Sequence, residues 1–192
     1  MDYKSSVREI EIKLKVKDLD ELEKKMSEAG CVFGESFKQH DVIYSDKNNS
    51  RKFDEPIEGD VSVRIRYEEN SVKLTLKQQR SYQMDCIEYE TEIKDPKVFD
   101  GMLKVLGWIP ECEVCKTRKK GKLGDYEASL DNVEKLGSFV ELEMITDDDA
   151  DPQKAREELF KVMQQFGFSE ADEETDGYDI QIYKLENKKS KK

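Results

Sequence analysis

The chain has 192 residues, enough for one domain with a real core, and its 40% charged against 36% hydrophobic residues require that core to be economical. The formal charge is 33 − 44 = −11, which argues against a general nucleic-acid binder but not against a small phosphorylated ligand. No apolar run approaches the roughly 18 residues of a membrane span, and the first residues carry no apolar leader-like segment, so the reading predicts a soluble, cytoplasmic protein with neither nucleic acid nor membrane as partner.

Residues 1–7 read as a loose lead-in. The next stretch, residues 9–16, alternates strictly: Glu9, Glu11, Lys13 and Lys15 against Ile10, Ile12, Leu14 and Val16. Period two is a β-strand with one apolar and one charged face. Asp18 then caps a helix whose Leu19, Leu22 and Met26 recur at helical spacing up to Gly30. Residues 31–37 read as a short strand, residues 39–44 as another, and residues 45–60, with Pro56 and Gly59, as a loop. Residues 61–67 and 72–78 form a predicted hairpin, and residues 86–93 a further strand. Asp95 and Pro96 open a second helix with Val98, Met102, Val105 and Leu106 expected inward and Gly107 as its stop. Strands follow at 113–120, 122–131 and 139–146. Asp151 and Pro152 open a third helix whose buried stripe is Ala155, Leu159, Val162, Met163 and Phe166. Residues 168–183 show no clear period. Residues 1–185 read as one domain and 186–192 as a basic, disordered tail.

The strand grammar recurs with charges of both signs. Arg64 and Arg66 flank Ile65; Lys73, Thr75 and Lys77 alternate with Leu74 and Leu76; Glu88, Glu90 and Glu92 alternate with Tyr89, Thr91 and Ile93. Lys116, Arg118 and Lys120 follow, then Asp125, Glu127, Ser129 and Asp131, then Glu141 and Glu143. Many amphipathic strands with mixed charges point to a closed sheet around a polar interior, in which the cations grip a polyanion and the carboxylates hold its metal ions. Solvated strand faces are the plainer alternative. Three times a Glu-x-Glu strand feeds an Asp-capped helix that stops at glycine, which supports an antiparallel barrel with helices outside.

These motifs resemble the CYTH superfamily, the triphosphate tunnel metalloenzymes. Glu9, Glu11 and Lys13 match its Glu-x-Glu-x-Lys pattern. Arg64 with Arg66, Lys77, Glu88 with Glu90, Lys116 with Arg118, Asp131, and Glu141 with Glu143 fall in the family's order. Residues 102–108 and 137–148 are most similar to the class IV adenylyl cyclase branch. Gln78 and Gln79 stand where the family often has Gly-Pro, and Gly177 precedes Tyr178 where the branch often has serine. The resemblance implies an α+β fold: a closed eight-stranded antiparallel β-barrel, open at both ends, with helices packed outside. It implies Mg²⁺ or Mn²⁺ as cofactor, a small-molecule triphosphate (ATP or tripolyphosphate) as partner, and allows a homodimer.

Six cations are assigned to the triphosphate: Lys13, Arg64, Arg66, Lys77, Lys116 and Arg118. Arginine suits bidentate phosphate contacts and lysine acts as a point charge. Lys13 and Arg118 are also the catalytic candidates. Mg²⁺ takes oxygen ligands, usually one or two carboxylates plus phosphates and waters. Glu9, Glu11, Glu88, Glu90, Asp131, Glu141 and Glu143 can supply them, with Glu9, Glu11, Glu141 and Glu143 foremost. No Ser, Cys or His triad is visible, so phosphoryl or nucleotidyl transfer by positioning and charge neutralisation is expected. A class IV-type adenylyl cyclase is the leading activity. An inorganic tripolyphosphatase or a nucleoside or thiamine triphosphatase is the enzymatic alternative, and a non-catalytic polyphosphate- or nucleotide-binding barrel the other. His40 is a lesser candidate for base contact or proton transfer, Trp108 reads as core, and Cys112 and Cys115 form a lone Cys-x-x-Cys pair that reads as ordinary thiols.

Overall fold

The structure is a computed structural model, and residues 7–48 and 53–189 are described. The elements in chain order are β1 (Val7–Lys15), α1 (Leu19–Glu28), β2 (Val32–Asp46), β3 (Val61–Tyr67), β4 (Val72–Gln79), β5 (Asp85–Glu92), α2 (Pro96–Val105), β6 (Trp108–Leu123), β7 (Tyr126–Val133), β8 (Gly137–Thr146), α3 (Pro152–Gln164) and α4 (Tyr178–Lys189). The eight strands are all antiparallel to their neighbours and close into a barrel in the order β1-β5-β4-β3-β2-β6-β7-β8. Among the described residues no helix is long and apolar enough to cross a membrane.

The barrel turns the usual arrangement inside out. In β1, Ile10, Ile12 and Leu14 point outward and are fully buried under helices, while Glu9, Glu11 and Lys13 face the interior. The outer faces of β1, β7 and β8 form one core with α1 and α3: Ile12, Leu130 and Leu142 meet Leu22, Met26, Leu159 and Met163. The outer faces of β2, β3 and β4 form a second with α2, through Tyr44, Val63, Ile65 and Leu103. Local signals start the helices as expected. Asp18, Asp95 and Asp151 each accept from backbone N–H groups of the first turn, and Gly30 and Gly167 end α1 and α3 at φ 97° and 90°, a region costly for other residues.

Three elements differ from the sequence reading. The two short strands expected at 31–37 and 39–44 are one continuous β2, because the 16-residue β6 offers a ladder along its whole length; register shifts at Phe33/Ser36 and Ile43/Tyr44 bend it. In α2 the expected inward residues point out: Val105 is 89% and Leu106 70% exposed, and Leu103 with Phe99 faces the sheet instead. The apolar arc is wide, running from Val98 and Val105 round to Leu103 opposite Lys97, Asp100 and Lys104, and the sheet takes only its Phe99 and Leu103 edge, so the period alone cannot select which part of the arc is buried.

The third difference is α4. Residues 178–183 of the segment without clear period, together with residues 184–185 and the first residues of the expected tail, form this helix through Lys189; residues 190–192 lie outside the described residues. Tyr178 and Ile182 of α4 pack into one end of the barrel against the inward residues Ile43, Cys112, Val114, Val133 and Phe139. The barrel is therefore not equally open at both ends: α4 fills part of one of them.

The reversed face of α2 is measurable. Leu103→Ala should cost about 2–5 kcal/mol in urea unfolding, whereas Val105→Ala should stay within about 0.5 kcal/mol of the parent. The opposite ranking would mean that α2 packs through the face the sequence favoured.

Candidate active site

The barrel interior holds a cavity of about 910 Å³. Twelve of the thirteen residues selected from sequence line it: Glu9, Glu11, Lys13, Arg64, Arg66, Lys77, Glu88, Glu90, Lys116, Arg118, Glu141 and Glu143. They come from six strands, and each projects inward because it sits on the polar phase of an alternating strand. Asp131 is the exception. It is fully buried behind the cations and does not line the cavity. Its Oδ1 accepts from Arg118 Nε at 2.7 Å, and its Oδ2 accepts from Arg118 Nη2 at 2.5 Å, Tyr178 Oη at 3.0 Å and Lys116 Nζ at 3.2 Å. With its oxygens so occupied, Asp131 orients cations; it is not placed to ligate a metal ion, as the sequence reading had it.

Counter-ions hold the other cations in the same way. Asp41 accepts both Arg66 hydrogen bonds, at 2.7 and 2.6 Å. Burial raises the Asp41 carboxyl, but Arg66 outweighs it and holds it well below the usual carboxylate range. Lys77 Nζ lies 2.6 Å from Glu88 and 3.6 Å from Glu9. Against a large burial penalty, Lys77 and Arg64 bring Glu88 down to about 2. Glu141 pairs with Arg118, and Glu90 accepts from Lys73 at 2.8 Å and Thr75 at 3.1 Å. Arg64 is the least committed cation: its carboxylates stand 3.6 and 3.8 Å away, and its buried Nε has no partner. Burial lowers Lys116 to about 8 and lowers Lys13 as well. Lys13 Nζ donates to the Asp176 backbone carbonyl and stands 4.6 Å from the Tyr178 ring centre, with Lys116 Nζ at 4.9 Å. Tyr178 thus lies between two lysines, a cation–π arrangement.

Glu9, Glu11 and Glu143 are different. Desolvation, then crowding by one another, raises Glu143 to about 8; desolvation, partly offset by Lys77, raises Glu9 to about 7; Glu11 is raised by burial and by Glu141. These three have too little nearby positive charge. Glu11 and Glu143 are register partners across β1 and β8, and Glu9 is two residues along the same face. Among the described residues no group of three or more His, Cys, Asp or Glu side chains has converged into a ready ligand set. Mg²⁺ asks for less, because one or two carboxylates plus phosphates and waters suffice, so the donor chemistry fits a hard divalent cation.

Several side chains fall outside this constellation. His40 is on the outer face, 2.8 Å from Glu113 and stacked on Tyr67. Cys112 and Cys115 project to opposite sides of β6, three residues apart on a strand, and so cannot act as a pair. Burial pushes the Cys86 and Cys112 thiols up to about 12, which leaves them poor nucleophiles. Trp108 is half-buried against the α2 core and borders the cavity. The Asp147–Asp151 run serves β1 and α3: Arg8 donates to the carbonyls of Asp148 and Ala150 while pairing with Asp85, and Asp151 caps α3. The sequence reading missed Asp41 and Tyr178 as site residues; Asp41 alternates with His40 and Val42 and could have been found by phase, whereas Tyr178 arrives from a helix with no clear period and its one signal was the family position it shares with Gly177.

The CYTH domain profile matches residues 7–178. A protein of Methanocaldococcus jannaschii, provisionally named an adenylate cyclase, is 28% identical over 163 residues, which is 84% of this chain and 90% of its own. A solved protein of Pyrococcus horikoshii OT3 is 27% identical and superposes with a TM-score of 0.76, covering 94% of this chain and 99% of its own. A Hippeastrum protein, provisionally named an adenylyl cyclase and described as having a dominant triphosphatase activity, has the same fold at 16% identity and a TM-score of 0.58, covering 93% of this chain and 95% of its own. Proteins with this domain depend in general on a divalent cation.

The carboxylate end has a pH signature. Glu9 and Glu143 start from 4.5 in the unfolded chain and are raised to about 7 and about 8 in the fold. Between those values the folded state binds more protons than the unfolded one, so their contribution to stability falls as pH rises through that window. Mg²⁺ competes with those protons. The rise in Tm on adding Mg²⁺ should therefore grow between about pH 6 and about pH 8, and Glu143→Gln should flatten that dependence. A Tm shift independent of pH in the parent protein would show that these carboxylates do not take up the ion.

Proposed function

The chain belongs to the CYTH domain family, and from that premise we propose that it is a divalent-metal-dependent adenylyl cyclase of the class IV type, converting ATP to cyclic AMP and pyrophosphate inside the barrel. The observation that carries the reading is the joining of six inward cations to one cavity of about 910 Å³, at the upper end of ordinary ligand sites of roughly 300–1,000 Å³. A bare tripolyphosphate needs the cations but not the remaining space.

The chain's own residues account for binding and orientation. Arg64, with an unpartnered Nε and loose counter-ions, can turn its guanidinium onto phosphate oxygens at little cost. Lys77, Lys116 and Lys13 add point charges from three other strands, and a polyanion beside Lys116 restores the proton affinity that burial removes. Arg66 and Arg118 are locked by Asp41 and Asp131, so their outer N–H groups are pre-aimed before substrate enters. Glu9, Glu11 and Glu143 are the residues that would hold the metal ion, which when bound neutralises phosphate charge. In the cyclase reaction the ribose 3′-hydroxyl attacks the α-phosphorus, the bond from that phosphorus to the bridging oxygen breaks, pyrophosphate leaves, and the hydroxyl proton passes to solvent or to the departing pyrophosphate. Arg118 and Lys13 stabilise the charge that gathers on the leaving oxygens.

A triphosphatase is the second reading. It is supported by the activity described for the Hippeastrum protein and by an acidic wall at Glu9 and Glu143 that does not need a nucleoside. Incubation with ATP and Mg²⁺ or Mn²⁺ separates the two. Cyclic AMP with pyrophosphate supports the cyclase, orthophosphate the hydrolase, and binding without turnover a non-catalytic barrel. In the same assay Arg64→Ala should weaken triphosphate affinity by about 1.5–3 kcal/mol, roughly ten- to a hundredfold, and monophosphate affinity much less. Unchanged triphosphate affinity by calorimetry would remove Arg64 from the site.

A further inference from the structure

The cavity contains a polar group that a triphosphate cannot satisfy. Gln39 is 3% exposed and lines the cavity from β2, in register with Lys116 of β6. Its Nε2 donates to Glu68 Oε1 at 2.7 Å, and Ser71 Oγ donates to Glu68 Oε2 at 3.1 Å. Glu68 is half-buried; burial raises its carboxyl, but these two bonds outweigh that and hold it below its ordinary value, so it is an acceptor only. The amide cannot turn over without setting oxygen against oxygen. Its orientation is therefore fixed by chemistry, with the carbonyl oxygen turned away from Glu68. That Oε1 is buried and has no hydrogen-bond partner.

A buried acceptor of this kind calls for a donor. Ionised phosphates supply only acceptors, and while Arg66 and Lys116 bind Asp41 and Asp131 none of their N–H groups reaches this oxygen. A donor on the organic part of a substrate fits that need. Phe37, two residues earlier and on the same face of β2, lines the same wall and offers an aromatic surface. A flat base bearing an amino group meets both features.

We propose that Gln39 is a specificity-determining residue that accepts a hydrogen bond from the exocyclic amine of an aminated nucleobase lying along Phe37. This rests on the reading of the cavity as a nucleoside triphosphate site. It goes further by naming the part of the wall that reads the base and the chemical feature that is read.

ATP and ITP form the test pair, because ITP carries a carbonyl where ATP carries the amine, and tripolyphosphate is the probe with no base. Affinities are measured by calorimetry with Mg²⁺, and kcat/KM where turnover occurs. The parent protein should bind ATP about tenfold or more tighter than ITP. Gln39→Met keeps the length and removes the acceptor; it should bring the ATP to ITP ratio close to one and leave tripolyphosphate affinity unchanged. Glu68→Gln, which frees the Gln39 amide to turn, should reduce the same ratio without abolishing phosphate binding. Equal affinity of the parent for ATP and ITP would overturn the proposal, as would a Gln39→Met loss shared equally by ATP, ITP and tripolyphosphate, which indicates a structural role. Retained ATP over ITP discrimination with no cyclic AMP formed would overturn the cyclase reading alone and leave the base-reading role of Gln39 standing.

Discussion

Taking an ammonium or guanidinium out of water costs several kcal/mol per ion even after relaxation, and this barrel buries Lys13, Arg66, Lys116 and Arg118 to 6% exposure or less. The fold tolerates that because carboxylates meet the arginines and Lys116 from behind. Asp131 is the centre of the scheme: it binds Arg118 through two oxygens, reaches Lys116, and accepts the hydroxyl of Tyr178. Asp41 does the same for Arg66. Each pair leaves outer guanidinium edges toward the cavity, so the interior is rigid and positive where an anion would lie. The same contacts tie α4 to the site, since Tyr178 cannot leave Asp131 without exposing a buried carboxylate to a missing partner.

Compensation is incomplete in one place, and its location matters. Along β1 the order is Glu9, Glu11, Lys13, and the facing strand reads Glu143 then Glu141. Glu141 has Arg118. Glu143, Glu11 and Glu9 lie close together, and burial with repulsion from neighbouring carboxylates outweighs the pull of Lys77, Lys13, Arg118 and Lys120 and raises all three. The interior is therefore polarised, with cations backed by carboxylates over much of the wall and carboxylates short of cations along β1 and β8. A triphosphate with a hard divalent cation has the matching polarity, and neither component alone neutralises both regions.

Much of this was legible because the chain is written in period two. Once Glu9 is inward, Glu11 and Lys13 must be, and the same logic carries Arg64 with Arg66 and Lys116 with Arg118. Strand phase cannot separate a carboxylate that faces the cavity from one buried behind its cations. Asp131 and Glu141 look alike in sequence, and only the barrel's closure assigns them different places. Helix faces were legible in α1 and α3, whose buried stripes match their apolar ones, and misread in α2, where six apolar residues spread over a wide arc opposite Lys97, Asp100 and Lys104 and only the Phe99 and Leu103 edge of that arc meets the sheet. The α4 segment hid for a different reason. Tyr178, Ile180 and Ile182 are all buried, at a spacing of two, because a helix seated in a barrel end is covered on several sides and needs no single stripe.

Cyclase and hydrolase chemistry differ here by what reaches phosphorus. In a cyclase the attacking hydroxyl belongs to the bound molecule itself, and holding that molecule at both ends makes attack intramolecular, an advantage of about 7–11 kcal/mol when geometry is right. Phosphate cations alone hold one end and leave the ribose free to swing, so water competes. The second anchor has to grip the nucleoside. In this barrel the wall of Phe37 and Gln39 lies beside Lys116 and Arg118 in register, close enough to the phosphate cations for one nucleotide to span both. If the site is the nucleotide site proposed above, the balance between the two activities depends on the strength of the grip on the base, and the amide of Gln39 would bear on the reaction outcome as well as on substrate choice.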